Sequence, residues 1–229
     1  MRRHLVEQPR YQGHVAKLYT HLAPLYDLFT DHEPAHHRTA VQLSNIRPGD
    51  VVLEVACGTG RGTLEIAARL QGAGKLYAMD LTDAMLARAR RRLQRHALLD
   101  NVELRVGDAH QLPFPDHTFD HVYNAYMLDL IDASRIPVVL SEFRRVLKPG
   151  GRLTLVNMSK QNNRMTLYEW LYERGLLSIA SGACRPANFE PFVVEAGFEQ
   201  VTRVYRPNRS WWWVNWLTGT EIVTGHAPC

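Results

Sequence analysis

Several short runs in the chain place ligand-gripping side chains at spacings that suit a nucleotide. Cys57-Gly58-Thr59-Gly60 carries two glycines just ahead of a helical stretch. Glycine lets a ligand approach the backbone, and the amides that open a helix attract negative charge, so the run suits a pyrophosphate or an amino-acid carboxylate. Asp80 stands 20 residues past Gly60 at the end of an apolar run. A carboxylate there accepts from both hydroxyls of a ribose. Gly107-Asp108-Ala109 adds a second carboxylate. It can accept from an adenine amino group while a neighbouring amide donates to a ring nitrogen. Taken together, the two carboxylates favour an adenosine-containing ligand.

The chain also holds groups that could move a proton. His32, His36, His37, Tyr126 and Asp129 are the candidates for a general base. His32-Glu33-Pro34-Ala35-His36 matches the H-E-x-x-H string of zinc proteases. That chemistry needs both histidines on one face of a continuous helix. Pro34 lacks an N–H and can only begin a helix, which leaves His32 outside it, so no metal site is expected.

The elements that must position these groups follow from hydrophobic pattern. Val51–Val55, Lys75–Asp80, Val102–Val106, Phe119–Tyr123 and Arg152–Met158 read as strands, with helices over 61–71, after the Thr82-Asp83 cap, and near 134–146, ending at Lys148-Pro149-Gly150-Gly151. Alternation of this kind predicts an α/β fold, a doubly wound and mostly parallel sheet covered on both faces. Phe198–Tyr205 and Glu221–Thr224 read as two more strands. They make seven in all, the last two forming a terminal antiparallel hairpin. Ligands bind such sheets at the carboxyl ends of the strands where strand order reverses.

Composition narrows the class. At 45% hydrophobic and 22% charged, the 229 residues cannot be a disordered or fibrous chain. No apolar stretch reaches membrane-spanning length, and the start, Met1 to Glu7, has basic residues with no apolar core behind them, which predicts neither a span nor a secretory signal. Three cysteines, Cys57, Cys184 and Cys229, have no framework spacing and suit a reducing cytoplasm. The net charge is +4, much of it in Arg88, Arg90, Arg91, Arg92 and Arg95. Met85, Ala89, Leu93 and Ala97 recur between them at helical spacing, which makes the arginines a solvated helix face and not a nucleic-acid surface.

The order Val52-Leu53-Glu54-Val55-Ala56-Cys57-Gly58-Thr59-Gly60, Asp80, Gly107-Asp108-Ala109, Leu112-Pro113-Phe114, Phe119-Asp120, Leu147-Lys148-Pro149-Gly150-Gly151 resembles the class I S-adenosylmethionine-dependent methyltransferases. With Tyr26-Asp27 and Glu221-Ile222-Val223-Thr224-Gly225, it looks most like the ubiquinone/menaquinone C-methyltransferase group and its small-molecule relatives. The resemblance implies S-adenosyl-L-methionine as cofactor and S-adenosyl-L-homocysteine as product. Glu54, Gly58 and Gly60 would shape the pocket for the methionine part and Asp80 would hold the ribose, with Ala56, Thr59 and Leu81 as further cofactor-binding residues. Asp108 with Ala109 would meet the adenine, Asn124 would lie beside the sulfonium, and Tyr19 and Tyr26 could close the site. The resemblance implies one methyltransferase domain over 1–229. Its parts would be a helical cap (1–50), a cofactor-binding core (51–158), a lid (159–196) and the terminal hairpin (197–229).

The expected acceptor is a small quinol- or phenol-like molecule methylated at carbon or oxygen, or else a lipid or small-molecule amine methylated at nitrogen. A nicotinamide-dependent oxidoreductase would use the same turn and Asp80, but its fingerprint wants a third glycine where this chain has Thr63, Gly62 being one place early. A non-catalytic S-adenosylmethionine-binding protein is the other rival. Trp211-Trp212-Trp213 and Trp216 read as a loop packed on the last strands, as an apolar acceptor wall or as a peripheral membrane contact, with Arg203, Arg206 and Arg209 suited to anionic headgroups.

Overall fold

Short apolar runs that do not alternate with polar residues need burial on both faces. The computed structural model, which describes residues 33–160, 167–174, 176, 184–207 and 219–229, gives them that burial. β1 (Val51–Val55), β2 (Lys75–Asp80), β3 (Val102–Val106), β4 (Phe119–Ala125) and β5 (Leu147–Ser159) are parallel. β6 (Glu199–Pro207) and β7 (Gly219–His226) complete a seven-stranded sheet in the order β3-β2-β1-β4-β5-β7-β6. β7 runs antiparallel to both of its neighbours, which is the expected terminal hairpin.

Two cores lie on opposite faces of the sheet, because alternate residues of each strand point opposite ways. On one face α1 (Glu33–Ser44), α2 (Arg61–Leu70) and α3 (Asp83–Arg95) cover Val52, Leu76, Ala78, Tyr123 and Val156. On the other, α4 (Ile136–Val146) and α6 (Glu190–Glu195) cover Leu53, Val55, Val122 and Leu155. Between them in the chain lies α5 (Leu167–Glu173). Thr82 caps α3 as expected, its hydroxyl accepting from Met85 N at 3.4 Å.

Two local expectations are corrected. The Lys148-Pro149-Gly150-Gly151 segment does not separate helix from strand. β5 already begins at Leu147, and pairing jumps from Phe119–Leu147 to His121–Arg152, so the tetrapeptide bulges within the strand. Pro149 has no amide to offer the ladder and Gly150 takes φ 71°, which together make the bulge. Ala97 does not extend the apolar stripe of α3. The helix ends at Arg95, and Ala97 turns left-handed at φ 54°.

Tyr19, Tyr26, His32, Arg209 and the Trp211–Trp216 cluster lie outside the described residues, as does much of the lid. Among the described residues, no helix is long and apolar enough to cross a membrane, and the three cysteines form no disulfide.

Candidate active site

From β1 the chain winds outward through β2 and β3 and then returns to β4 on the other side, so the strand order reverses between β1 and β4. Asn124, fully buried, bridges that point by donating its Nδ2 to Val55 O at 2.8 Å, while its Oδ1 has no partner. Beyond Val55 the backbone turns sharply. Ala56 is left-handed at φ 60°, Cys57 N donates to Met79 O at 2.8 Å, and Gly60 N donates to Cys57 O at 2.9 Å. Gly60 then caps α2 without a side-chain bond, leaving the first amides of that helix for a ligand or solvent. A Cβ on Gly58 would meet nothing within 4 Å, so open space stands over the turn.

Asp80 ties this turn to β2. Its Oδ2 accepts from Gly58 N at 2.9 Å, and its Oδ1 accepts from Thr82 N at 3.0 Å and Thr82 Oγ1 at 3.2 Å. Burial pushes its carboxyl above the ordinary range against these bonds. An ionised carboxylate oxygen accepts two bonds, so Oδ2 keeps one place for a ligand hydroxyl. Leu81 beside it is 44% exposed, an apolar surface at the open edge. Asp108 accepts from His110 N at 3.0 Å and meets His110 Nδ1 at 2.6 Å. Partial burial would raise Asp108, but the two contacts with His110 outweigh it and hold the carboxyl low.

Glu54 faces α2 from β1, and its Oε2 is buried without a partner. Burial raises its carboxyl to about 8, with a bond from Thr63 opposing and the charge of Asp80 adding. A Cβ on Gly62 would collide with Glu54 Oε1, so this glycine makes room for the carboxylate, and its place one residue early has a cause.

The proton-moving candidates divide. His37 Nδ1 and Tyr123 Oη are 2.8 Å apart and buried, and the edge of one ring of the His37–Tyr126 pair meets the face of the other. Tyr126 Oη lies 3.1 Å from Thr220 Oγ1. Burial drives both tyrosines well above their usual range, which keeps them protonated. His36 is buried on the same helix. These side chains sit between α1 and the sheet. Asp129 sits in a 3-10 turn just past β4, near Tyr126.

Sequence reasoning passed over Arg92. Its Nη1 leaves the face of α3 expected to be solvated and donates to Thr59 O at 2.7 Å and Thr59 Oγ1 at 2.8 Å. Ala89, one turn earlier, packs under Gly60. Residues three apart share a helix face, so the pairing of Arg92 with the buried Ala89 stripe was the available signal. Arg145 was passed over as well. It gathers Glu142, Asp116, Phe114 O and Leu112 O, and so fixes the loop behind Asp108. Asp120 and Lys148 belong to the opposite edge of the sheet, where they pair at 2.7 Å.

Residues 52–151 match the family model described as a methyltransferase domain. A demethylmenaquinone methyltransferase of Symbiobacterium thermophilum is 35% identical over 200 residues, 85% of this chain and 75% of that one. The ubiquinone/menaquinone biosynthesis C-methyltransferase UbiE of Teredinibacter turnerae is 37% identical over 156 residues, 66% of this chain and 62% of its own length. Among solved structures, the [4+2]-cyclase SpnF superposes with a TM-score of 0.75 at 18% identity, covering 93% of this chain and 95% of SpnF. A Haemonchus contortus phosphoethanolamine N-methyltransferase in complex with S-adenosyl-L-methionine gives 0.63 at 16% identity, over 85% of this chain and 53% of that one. The two structural likenesses speak to the fold alone.

Proposed function

The chain belongs to the class I S-adenosylmethionine-dependent methyltransferases of the UbiE type, and from that premise we propose that it methylates a quinol- or phenol-like ring. The likeness to the demethylmenaquinone enzyme, spread over most of the chain, carries this reading.

The residues present fit the cofactor. The open space over Gly58, the unpartnered Oε2 of Glu54, the spare place on Asp80 Oδ2 and the exposed Leu81 are the features such a molecule would fill. Glu54, Ala56, Gly58, Thr59 and Gly60 would hold its amino-acid part, Asp80 its ribose, Leu81, Asp108 and Ala109 its adenine. Asn124 would stand at the reacting end. S-adenosylmethionine supplies, when bound, a methyl already activated on a sulfonium. What remains for the chain is to align the acceptor and keep water out, and alignment contributes roughly 7–11 kcal/mol in favourable cases. The buried, protonated Tyr123 and Tyr126 and the apolar residues around them suit that dry setting. The absence of disulfides suits a reducing compartment, and we place the enzyme in the cytoplasm.

Asp80→Ala will weaken S-adenosylhomocysteine by tenfold or more in calorimetric titration, about 1.4 kcal/mol. The change removes a ribose acceptor and also the bond that fixes Gly58. Unaltered affinity would take Asp80 out of the site. For the acceptor, purified protein with S-adenosylmethionine and a short-chain demethylmenaquinol is expected to give a product one methyl heavier by mass spectrometry. Absence of that product, alongside normal S-adenosylhomocysteine binding, would overturn the quinol reading and keep the cofactor.

A further inference from the structure

Two charged side chains beyond the end of β4 are buried with bonding capacity unspent. Asp129 is 0% exposed and Arg185 is 4% exposed. Tyr126 N donates to Val156 O, so that stretch of β5 offers its bonds toward β4. The Met158 amide, two residues on, points the same way, but β4 has ended. Asp129 Oδ2 accepts that amide at 3.0 Å, as the next carbonyl of the strand would have done. Its other oxygen, Oδ1, has no bond of ordinary geometry, and the only further side-chain donor the carboxylate meets is the weak Cys184 thiol. The chain returning ahead of α6 passes this point, where Arg185 N donates to Asp129 O at 3.0 Å. The Arg185 guanidinium donates from Nη2 to Ile131 O, while its Nε and Nη1 make no bond of ordinary geometry, with the Tyr172 hydroxyl close by. No ion pair joins the two side chains.

A carboxylate oxygen met only by a thiol and two guanidinium nitrogens without a bond of ordinary geometry, all out of water, are costly unless a stronger polar group meets them. One acceptor oxygen and two donors are the complement of a hydroxyl that becomes an oxyanion. We propose that Asp129 and Arg185 are the polar grip of the acceptor site, Asp129 taking and returning the proton of an aromatic hydroxyl while Arg185 stabilises the oxyanion. This rests on the aromatic-acceptor reading above.

The proton balance closes. The O–H bond breaks, its electron pair stays on oxygen, and the proton moves to Asp129 Oδ1. The negative charge delocalises to the ring carbon beside it, which becomes the nucleophile. That carbon's electron pair forms the bond to the methyl while the methyl–sulfur bond breaks, its pair staying on sulfur and S-adenosylhomocysteine leaving. Once the carbon has lost its own hydrogen to water as a proton, Asp129 returns its proton to the oxygen. The net release is one proton.

The groups facing Asp129 are Arg185 and Cys184, with Tyr126 and Tyr172 alongside and Glu33 near Tyr126 and Cys184. Burial raises the Asp129 carboxyl to about 7, against the Met158 amide and the charge of Arg185. A base must be ionised to act, so kcat/KM for the demethylmenaquinol will rise with pH through about 7.

Asp129→Asn keeps the volume and an oxygen for the Met158 amide but turns the free acceptor into a donor. It is expected to lower kcat roughly 100-fold or more, to abolish the rising limb and to leave S-adenosylhomocysteine affinity unchanged. A second measurement needs no turnover. 1-Naphthol and 1-methoxynaphthalene are titrated into the S-adenosylhomocysteine-loaded protein. Naphthol binding should fall about tenfold in Asp129→Asn and in Arg185→Met, with the ether unaffected. Equal binding of the two compounds in wild type and variants, no binding of either to the wild type, or an unmoved limb in Asp129→Asn, would overturn the pair. Naphthol discrimination without quinol turnover would instead sink the quinol reading and leave the pair standing.

Discussion

Glu221→Ala is expected to cost about 3–5 kcal/mol of unfolding free energy, read from urea denaturation with an unchanged slope. Glu221 is 0% exposed, and one carboxylate serves three parts of the chain. Oε1 accepts from Phe189 N at 2.7 Å, and Oε2 accepts from Arg203 Nε at 2.6 Å and Ser159 Oγ at 3.3 Å. Arg203 extends the link through Nη2 to Ser159 Oγ at 2.8 Å and Lys160 O at 3.2 Å. The group therefore joins β5, β6, β7 and the chain entering α6. Alanine takes the carboxylate away from a mostly buried guanidinium and the acceptor away from the Phe189 amide. The double variant Glu221→Leu with Arg203→Met should recover part of the loss, because both charges leave together. It will not recover all of it, since an amide that loses its acceptor still costs about 1–3 kcal/mol. A single-variant loss below about 1 kcal/mol would mean that Arg203 and Phe189 re-pair elsewhere, and the hub would not be one.

Gly60→Ala carries the second large expectation. Gly60 sits at φ 83°, where a side chain costs roughly 1–2 kcal/mol. Its new Cβ would stand 2.8 Å from both Cα and Cβ of Ala89, a contact that needs the helix itself to move. Overpacking of that kind adds about 1–3 kcal/mol. The turn would be pushed away from α3, and S-adenosylhomocysteine affinity should drop by more than tenfold in titration, beyond about 1.4 kcal/mol. A double-mutant cycle isolates the side-chain part of the collision. Ala89→Gly removes the contact with Cβ but leaves the one with Cα and the backbone strain, and costs about 1 kcal/mol of helix propensity in its own right. The double variant should therefore bind somewhat better than Gly60→Ala alone. Strict additivity would remove the Ala89 methyl as a source of the effect.

The strands were legible because each is an apolar run ended by a turn residue, and a sheet covered on both faces accepts nothing else at those positions. Asp80 and Asp108 could be placed at the carboxyl edge for the same reason: Asp80 closes β2 and Asp108 follows the end of β3. Thr82 was readable as a cap from its type and its place. Contacts across the chain left no such trace. Arg92 reaches Thr59 over 33 residues, marked only by its place beside the Ala89 stripe, and Arg185 meets the backbone of Ile131 over 54 with nothing local to mark it. His37 and Tyr126 looked like proton carriers by residue type. The structure packs them against one another and the sheet, a placement that only burial and partner atoms could give. The bulge at Lys148–Gly151 shows the other limit. Proline and glycine announce a break in regular hydrogen bonding, but not whether the chain leaves the sheet or steps aside within it.

The grip of α3 on the turn has a consequence for descent and for engineering. Residue 89 cannot grow while Gly60 holds its place, and Thr59 cannot shift without drawing on Arg92. Substitutions at these positions are acceptable only in company, so a lineage changes them together or not at all. A chimaera that imports residues 56–60 from a relative would import half of a lock. The segment worth transplanting is the turn together with residues 83–95, inherited as one module although a whole strand and helix separate its parts.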